Sequence, residues 1–219
     1  MDWLDDFNDW LEELEGTHKI LLGIGVFFIS RLAYDTFKEA KDSGKFSLPA
    51  SDSQSYNKQI SLSTKGNAGV YQTLEIMAEM VRREASNIPL RRFALNLVRE
   101  CRGHDTDCEI RKCFEFARDA ITYRRDPATV EQVSDARRTI ESGVGDCDDK
   151  CVVLGSLLAT LGYRTRFVVC GYKPHSHSHV YLEAHTSRGW IALDPTPEDA
   201  PFGWAPKSAP YRETFEIFR

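Results

Sequence analysis

The sequence has no apolar stretch long enough to cross a bilayer. The apolar run at residues 20–30 is 11 residues long, whereas a spanning helix needs roughly 20 residues. The chain does not open on a basic region, so we expect no signal peptide. Basic residues are not in excess either, since 28 Lys and Arg stand against 33 Asp and Glu, a net charge of −5. These absences argue against a transmembrane protein and against a nucleic-acid partner.

Cysteine is too sparse for a disulfide-stapled secreted domain, with six in 219 residues. A chain of this length buries its own core without such bridges. The 42% hydrophobic and 28% charged composition is that of a globular protein. We therefore predict mostly reduced thiols in a cytoplasm-like compartment, and we interpret Cys101, Cys108 and Cys113 as ordinary cysteines because their spacing is not that of a zinc site.

Acidic charge is concentrated at the start of the chain. Residues 1–15 contain seven acidic side chains and no Lys or Arg, and their large apolar residues recur at the spacing of one helix face. With the apolar run that follows, this pattern predicts an N-terminal helical arm over residues 1–41. The arm could pack as a hairpin on the body or on a sister subunit, or dock into a larger assembly. Attachment to a membrane surface is less favoured, because anionic lipid repels acidic residues.

Residues 42–69 differ from the arm in composition, with seven serines, three glycines and few large apolar residues. This composition predicts a linker or a wrapping segment. From residue 70 the pattern becomes helical, and it continues through three helices, the last over about 107–123. A long apolar helix follows residue 146, and strand signals appear near residues 164–170, 180–184 and 190–193. We predict an α+β domain over residues 70–219.

Three separated residues can carry nucleophilic chemistry. Cys147 begins the long apolar helix, where free N–H groups and the helix dipole favour a thiolate and lower the thiol pKa. Asp146 can cap that helix, while nearby acids oppose the thiolate and require a histidine to offset them. His179 begins a strand, and Asp194 ends the next one, so hairpin pairing would bring the two together. A thiol, an imidazole and a carboxylate in that order have the logic of a catalytic triad.

These segments resemble the transglutaminase-like superfamily, and more narrowly its bacterial and phage cysteine-protease-like branch. The resemblance covers about residues 107–197. It is carried by the following sequences: GDCDD at 145–149, GYRTRFVV at 162–169, HVYLE at 179–183, and the segment 190–196 that ends in LDPT.

The resemblance implies a papain-like core, in which the nucleophile helix packs on an antiparallel sheet. It also implies Cys147 as nucleophile, His179 as general base and acid, and Asp194 as the residue that orients the imidazole. The reaction would be acyl transfer to water or to an amine through a thioester, on a protein or peptide substrate. The alternative is a structural or binding component of a larger assembly, such as a phage virion, that retains the fold with little or no catalysis.

No cofactor or metal is expected, although two patterns leave a metal site open. His175, His177 and His179 are spaced by two, so on a strand they would share one face and could bind a metal with thiolates. Pro174 and the interleaved serines favour a loop instead. Cys151 lies one helical turn after Cys147 and is interpreted as a buried free cysteine, with a regulatory or metal-sharing thiol as the alternative.

Overall fold

The structure is a computed structural model, which describes residues 57–60, 67–103, 105–126, 131–174 and 177–218. The predicted arm at residues 1–41 and most of the predicted linker lie outside the described residues. Within the linker range, residues 57–60 form a strand that pairs with residues 131–134.

Five helices form the helical layer of the described domain. Most begin at an aspartate or asparagine whose side chain accepts a backbone N–H of the first turn, which satisfies donors that the helix itself leaves free. The helices are α1 (Asn67–Glu84), α2 (Ile88–Leu97), α3 (Thr106–Asp119), α4 (Ala136–Ser142) and α5 (Cys147–Leu161).

Eight strands are described, and four of them form the main sheet. The strands are β1 (Asn57–Ile60), β2 (Thr122–Tyr123), β3 (Glu131–Ser134), β4 (Val144–Gly145), β5 (Thr165–Gly171), β6 (His179–Thr186), β7 (Gly189–Leu193) and β8 (Tyr211–Glu216). The main sheet has the order β7-β6-β5-β8 with antiparallel neighbours, while β1 pairs with β3 and β2 pairs in parallel with β4. The predicted α+β fold class is confirmed.

Helix α5 is the centre of the core. Almost every residue from Asp148 to Thr160 is buried, because the helix packs against α1, α2, α3, α4 and the inner face of the sheet. The close approach to α1 uses Gly155, where an added Cβ would lie 3.1 Å from Val81 Cγ2 and 3.5 Å from Leu182 Cδ1. The helix carrying Cys147 is therefore fixed on every side by the core.

Two secondary-structure expectations were wrong at their boundaries. The helix predicted over about 107–123 ends at Asp119, because the chain then turns into β2 and pairs with the strand that precedes Cys147. The predicted strands were those near residues 164–170, 180–184 and 190–193, yet residues 211–216 also form the edge strand β8. The sequence pattern does not indicate this strand, because Phe215 is its one buried residue among mostly charged and polar neighbours.

The prediction of ordinary reduced cysteines at 101 and 108 is also wrong. Cys101 and Cys108 form a disulfide with a Cα–Cα distance of 5.8 Å. The reason is local geometry, since Cys101 follows α2 and Cys108 lies in the first turn of α3, so the chain reversal between the helices brings them into bonding range. Cys113, Cys147, Cys151 and Cys170 are free thiols. Among the described residues, every helix is too short or too polar to span a membrane.

Candidate active site

Residues 143–149, called here the nucleophile turn, hold Cys147 by local hydrogen bonds. Gly143 ends α4 with φ 69°, a left-handed conformation that favours glycine. Asp146 then caps α5, since its Oδ1 accepts the N–H groups of Asp148 and Asp149. Asp149 completes a capping box by accepting the Asp146 N–H. The predicted aspartate cap is confirmed.

Gly145 allows the backbone of the nucleophile turn to pass close to neighbouring side chains. A Cβ at this position would lie 2.6 Å from Asp149 Cβ, which is closer than carbon atoms can pack, and a tight 3.1 Å from Thr139 Cγ2. Glycine therefore lets the backbone pass against the capping aspartate just before the nucleophile.

Cys147 is the first residue of α5 and is partly exposed. Its sulfur donates a hydrogen bond to Asp148 Oδ1 at 3.5 Å. Burial raises the pKa of the thiol well above its usual value, and the charges of Asp148 and Asp146 raise it further, while the backbone N–H of Val180 opposes the rise. The expected lowering of this pKa is therefore wrong, because burial and two carboxylates outweigh the helix terminus. The resting group is a neutral thiol.

His179 and Asp194, called here the relay pair, meet at one end of the main sheet. Strands β6 and β7 pair in the register Leu182↔Leu193, which carries Asp194 alongside the first residues of β6. His179 Nε2 lies 2.7 Å from Asp194 Oδ2. Asp194 is 1% exposed and its other oxygen accepts the Thr196 N–H at 3.0 Å. The carboxylate is therefore held from two directions while the imidazole remains partly exposed.

Val180 connects the two halves of the site. Its N–H faces the Cys147 sulfur, and its carbonyl accepts the Cys151 thiol at 3.6 Å. Because Val180 directly follows His179, the start of α5 and the start of β6 lie side by side. The structure thus brings His179 and Asp194 into contact and sets Cys147 against the neighbouring residue, while the thiol's own hydrogen bond goes to Asp148.

Cys151 is a buried thiol whose pKa is raised well above its usual value, first by burial. Its placement agrees with the interpretation as a buried free cysteine. Cys170, which pairs with His179 across the β5–β6 ladder, is likewise buried, and burial raises its pKa to about 11. Protonated buried thiols of this kind are poor nucleophiles.

The sequence analysis assigns no role in the site to two residues that lie around it. Lys150 lies one turn after Cys147 and is completely buried, and its position inside an otherwise apolar helix was the available signal. Tyr123 on β2 is paired with Gly145. Burial raises the pKa of Tyr123, and the proximity of Cys147 and Asp146 adds to the rise, so its hydroxyl lies in the same electrostatic environment as the thiol.

The described side chains do not support the histidine-based metal site. His175 lies outside the described residues, and His177 is buried with its Nε2 3.4 Å from Glu213 Oε1. The other candidate ligand group is Asp146, Cys147 and Asp148, whose ligand atoms lie within 4.8 Å of one another. Asp146 is already committed to capping α5, so this group fits a helix cap better than a metal centre.

Fold and site together define a class of protein: an α+β domain with a cysteine at the start of a buried helix and a histidine–aspartate pair at the end of an antiparallel sheet. Residues 92–195 match the family model of the transglutaminase-like superfamily, which confirms the resemblance seen in the sequence.

Two solved structures are similar to this chain. A candidate cysteine protease from Cytophaga hutchinsonii is 17% identical with a TM-score of 0.40, and the match covers 58% of this chain and 46% of that one. A candidate protease from Parabacteroides distasonis is 11% identical with a TM-score of 0.43, covering 61% of this chain and 27% of that one. The match thus spans less than half the length of either structure. No curated protein matches the chain.

Proposed function

We propose that this protein is a cysteine acyl-transfer enzyme, a protease or amidase that acts on a protein or peptide through Cys147, His179 and Asp194. The observation that carries the proposal is the 2.7 Å contact between His179 Nε2 and Asp194 Oδ2 beside the first turn of α5. A buried carboxylate that fixes one imidazole nitrogen leaves the other, Nδ1, for the thiol.

The reaction begins from a neutral thiol, because burial and the flanking carboxylates raise the Cys147 pKa. His179 Nδ1 takes the thiol proton as the sulfur attacks the amide carbonyl, and Asp194 stabilises the imidazolium. The imidazolium then gives the proton to the leaving amine as the C–N bond breaks, which leaves a thioester on Cys147. Water, activated by the same imidazole, hydrolyses the thioester and restores the thiol.

The backbone N–H of Cys147 is the proposed oxyanion donor. The cap on α5 consumes the N–H groups of Asp148 and Asp149, which both donate to Asp146 Oδ1. The Cys147 N–H is not one of the donors that this cap uses, so it can meet the charge that develops on the carbonyl oxygen.

The test measures the reactivity of Cys147 and its dependence on His179. Iodoacetamide labelling of the unreduced protein, mapped by mass spectrometry, compares Cys147 with the buried thiol of Cys113. Exposure alone would favour Cys147, so the decisive variant is His179→Ala, in which labelling of Cys147 should slow about 100-fold. An unchanged rate would contradict the proposal.

Turnover is tested with a set of peptides and with a fluorescent primary amine as acceptor. Cys147→Ala should abolish product formation, and Cys113→Ala is the matched control because it removes a buried thiol far along the chain from the turn. Release of new termini indicates hydrolysis, whereas incorporation of the amine indicates crosslinking.

A second candidate function is a structural or binding component that keeps the fold without catalysis, for example in a phage virion. The observation that favours it is the Cys147 thiol, which bonds to Asp148 and has a raised pKa. The Cys101–Cys108 disulfide also fits a particle outside the reducing cytoplasm better than a cytoplasmic enzyme. Normal assembly and biological function with Cys147→Ala would select this candidate.

A further inference from the structure

Lys150 is the most completely buried charged residue among those that the structure describes. Its exposure is 0%, and its Nζ donates to the Pro195 carbonyl at 2.8 Å and to the Arg118 carbonyl at 3.0 Å. Burial of an ammonium group is costly, and an apolar side chain of the same length would avoid that cost. A lysine in this place therefore needs a reason beyond packing.

The two carbonyls that Lys150 contacts belong to different parts of the domain. Arg118 lies in the last turn of α3, where helix carbonyls have no partner within the helix. Pro195 directly follows Asp194 and begins the turn after β7. Since Lys150 is on α5, three residues after Cys147, one ammonium group ties the nucleophile helix to the turn that carries the relay carboxylate.

The Asp194 turn is held by a hydrogen bond of its own in addition to the one from Lys150. Thr196 N–H donates to Asp194 Oδ1 at 3.0 Å, so the carboxylate is fixed relative to residue 196. Lys150 fixes the carbonyl of the residue between them. Together the two bonds set the direction from which Asp194 Oδ2 meets His179, and the lysine attaches the start of the turn to α5.

We propose that Lys150 is a positioning residue, which holds the Asp194 turn against α5 and so sets the hydrogen bond between Asp194 and His179 relative to Cys147. Its importance for acyl transfer rests on the proposed function. Its effect on the relay pair does not rest on the proposed function, because the hydrogen bond between Asp194 and His179 can be observed directly.

The charge environment of Lys150 supports this placement. Burial lowers its pKa to about 8. The carboxylates that oppose the lowering are Asp119 at the end of α3 and Glu198 and Asp194 after β7. An ammonium among these groups also offsets the negative charge of the relay carboxylate.

The experiment compares Lys150→Met with the wild type and with Thr160→Val, which removes a buried hydrogen bond at the far end of the same helix. Proton NMR of protein labelled at histidine nitrogen follows the His179 Nε2–H resonance. We expect it to move upfield and exchange faster in Lys150→Met and to stay unchanged in Thr160→Val, whatever the Tm of either variant. Labelling of Cys147 at neutral pH should also slow, by about 10- to 100-fold.

The outcomes separate the two proposals. A reactive wild-type Cys147 with an unmoved His179 resonance in Lys150→Met would overturn the positioning role and leave the enzyme proposal intact. A moved resonance with an unreactive wild-type Cys147 would support the positioning role and overturn the enzyme.

If Lys150→Met does not fold, the wild type provides the second measurement. Deprotonation of Lys150 should shift the His179 Nε2–H resonance with the same midpoint as the lysine side-chain signal. A His179 resonance that is flat across the lysine titration would overturn the proposal.

Discussion

The two halves of the candidate site are built in different ways. The nucleophile turn is assembled mainly by contacts within seven residues, from the left-handed Gly143 to the capping Asp149. The relay pair joins residues 15 apart through the register of two strands and a turn that Lys150 holds from another helix. The turn places its nucleophile but leaves it protonated, whereas the relay pair is already in hydrogen-bond contact. The protonation of the Cys147 thiol therefore limits the chemistry at the nucleophile turn. At the relay pair, the chemistry depends on the geometry of the hydrogen bond.

Breaking the relay pair should have the largest effect. In Asp194→Asn the amide oxygen can still accept the Thr196 N–H, so the amide NH₂ faces His179 Nε2. Nε2 must then accept a hydrogen bond from the amide, so the imidazole proton moves to Nδ1. Nδ1 is then no longer able to accept the proton of the Cys147 thiol. We expect acyl transfer to fall by about 10²- to 10⁴-fold, measured as peptide turnover.

The control for this variant is Asp199→Asn, which removes an exposed acidic group five residues further along the same turn. It should change turnover less than about twofold. Equal turnover in Asp194→Asn and the wild type would mean that the relay pair is only a structural hydrogen bond.

A steric change in the nucleophile turn should have the next largest effect, and it should lower the stability of the folded protein. Gly145→Ala places a methyl group 2.6 Å from Asp149 Cβ, so the capping box must open. We expect a loss of about 1–3 kcal/mol in the free energy of unfolding, measured by urea denaturation. Gly103→Ala, where an added Cβ meets nothing within 4 Å, is the matched control and should change little. Equal effects in the two variants would refute the close approach.

The same contrast explains how much the sequence could reveal. The aspartate cap and the glycine turn are local, so spacing around Cys147 was sufficient to predict them. The hairpin that joins His179 to Asp194 was also predictable, because β6 and β7 are consecutive strands with a short connection. The pattern around Cys147 could suggest a lowered thiol pKa, but it carried no information on how deeply the thiol is buried.

Long-range features were not predictable from local patterns. Strand β8 pairs with β5 across more than thirty intervening residues, and its alternation is obscured by charged residues. Lys150 binds carbonyls 32 and 45 residues away, so its role depends on the packing of three elements. The Cys101–Cys108 disulfide depends on the helix boundary between the two cysteines, which spacing alone does not give.

Changing the charge of the nucleophile turn should have a smaller effect than the two changes above. Asp148→Asn removes the carboxylate that accepts the Cys147 thiol and that raises its pKa. Lowering the thiol pKa by one unit increases the thiolate about tenfold near neutral pH. We therefore expect iodoacetamide to label Cys147 about tenfold faster. The control is Glu141→Gln, which removes a surface carboxylate paired with Arg137. No acceleration in Asp148→Asn would show that burial and the Asp146 carboxylate hold the proton without Asp148.

The smallest effect concerns Asp149, which serves the structure of the turn. Burial raises its pKa to about 7, against the opposing hydrogen bond from the Ser134 N–H. Because the folded state holds this proton more tightly than the unfolded chain, the contribution to stability is complete below the unfolded pKa. It is lost as the pH rises toward 7. We expect Asp149 to account for a loss on the order of 1 kcal/mol between pH 5 and pH 7.

Urea denaturation at both pH values measures this contribution. Asp149→Asn cannot ionise, so the fall in stability between the two pH values should be smaller than in the wild type. Asp199→Asn, on an exposed turn, should keep the wild-type dependence. The window lies below the pKa of about 8 for Lys150, whose deprotonation would act in the opposite direction. An identical pH dependence in Asp149→Asn and the wild type would mean that Asp149 is ionised throughout, and that the nucleophile turn carries a third negative charge beside Asp146 and Asp148.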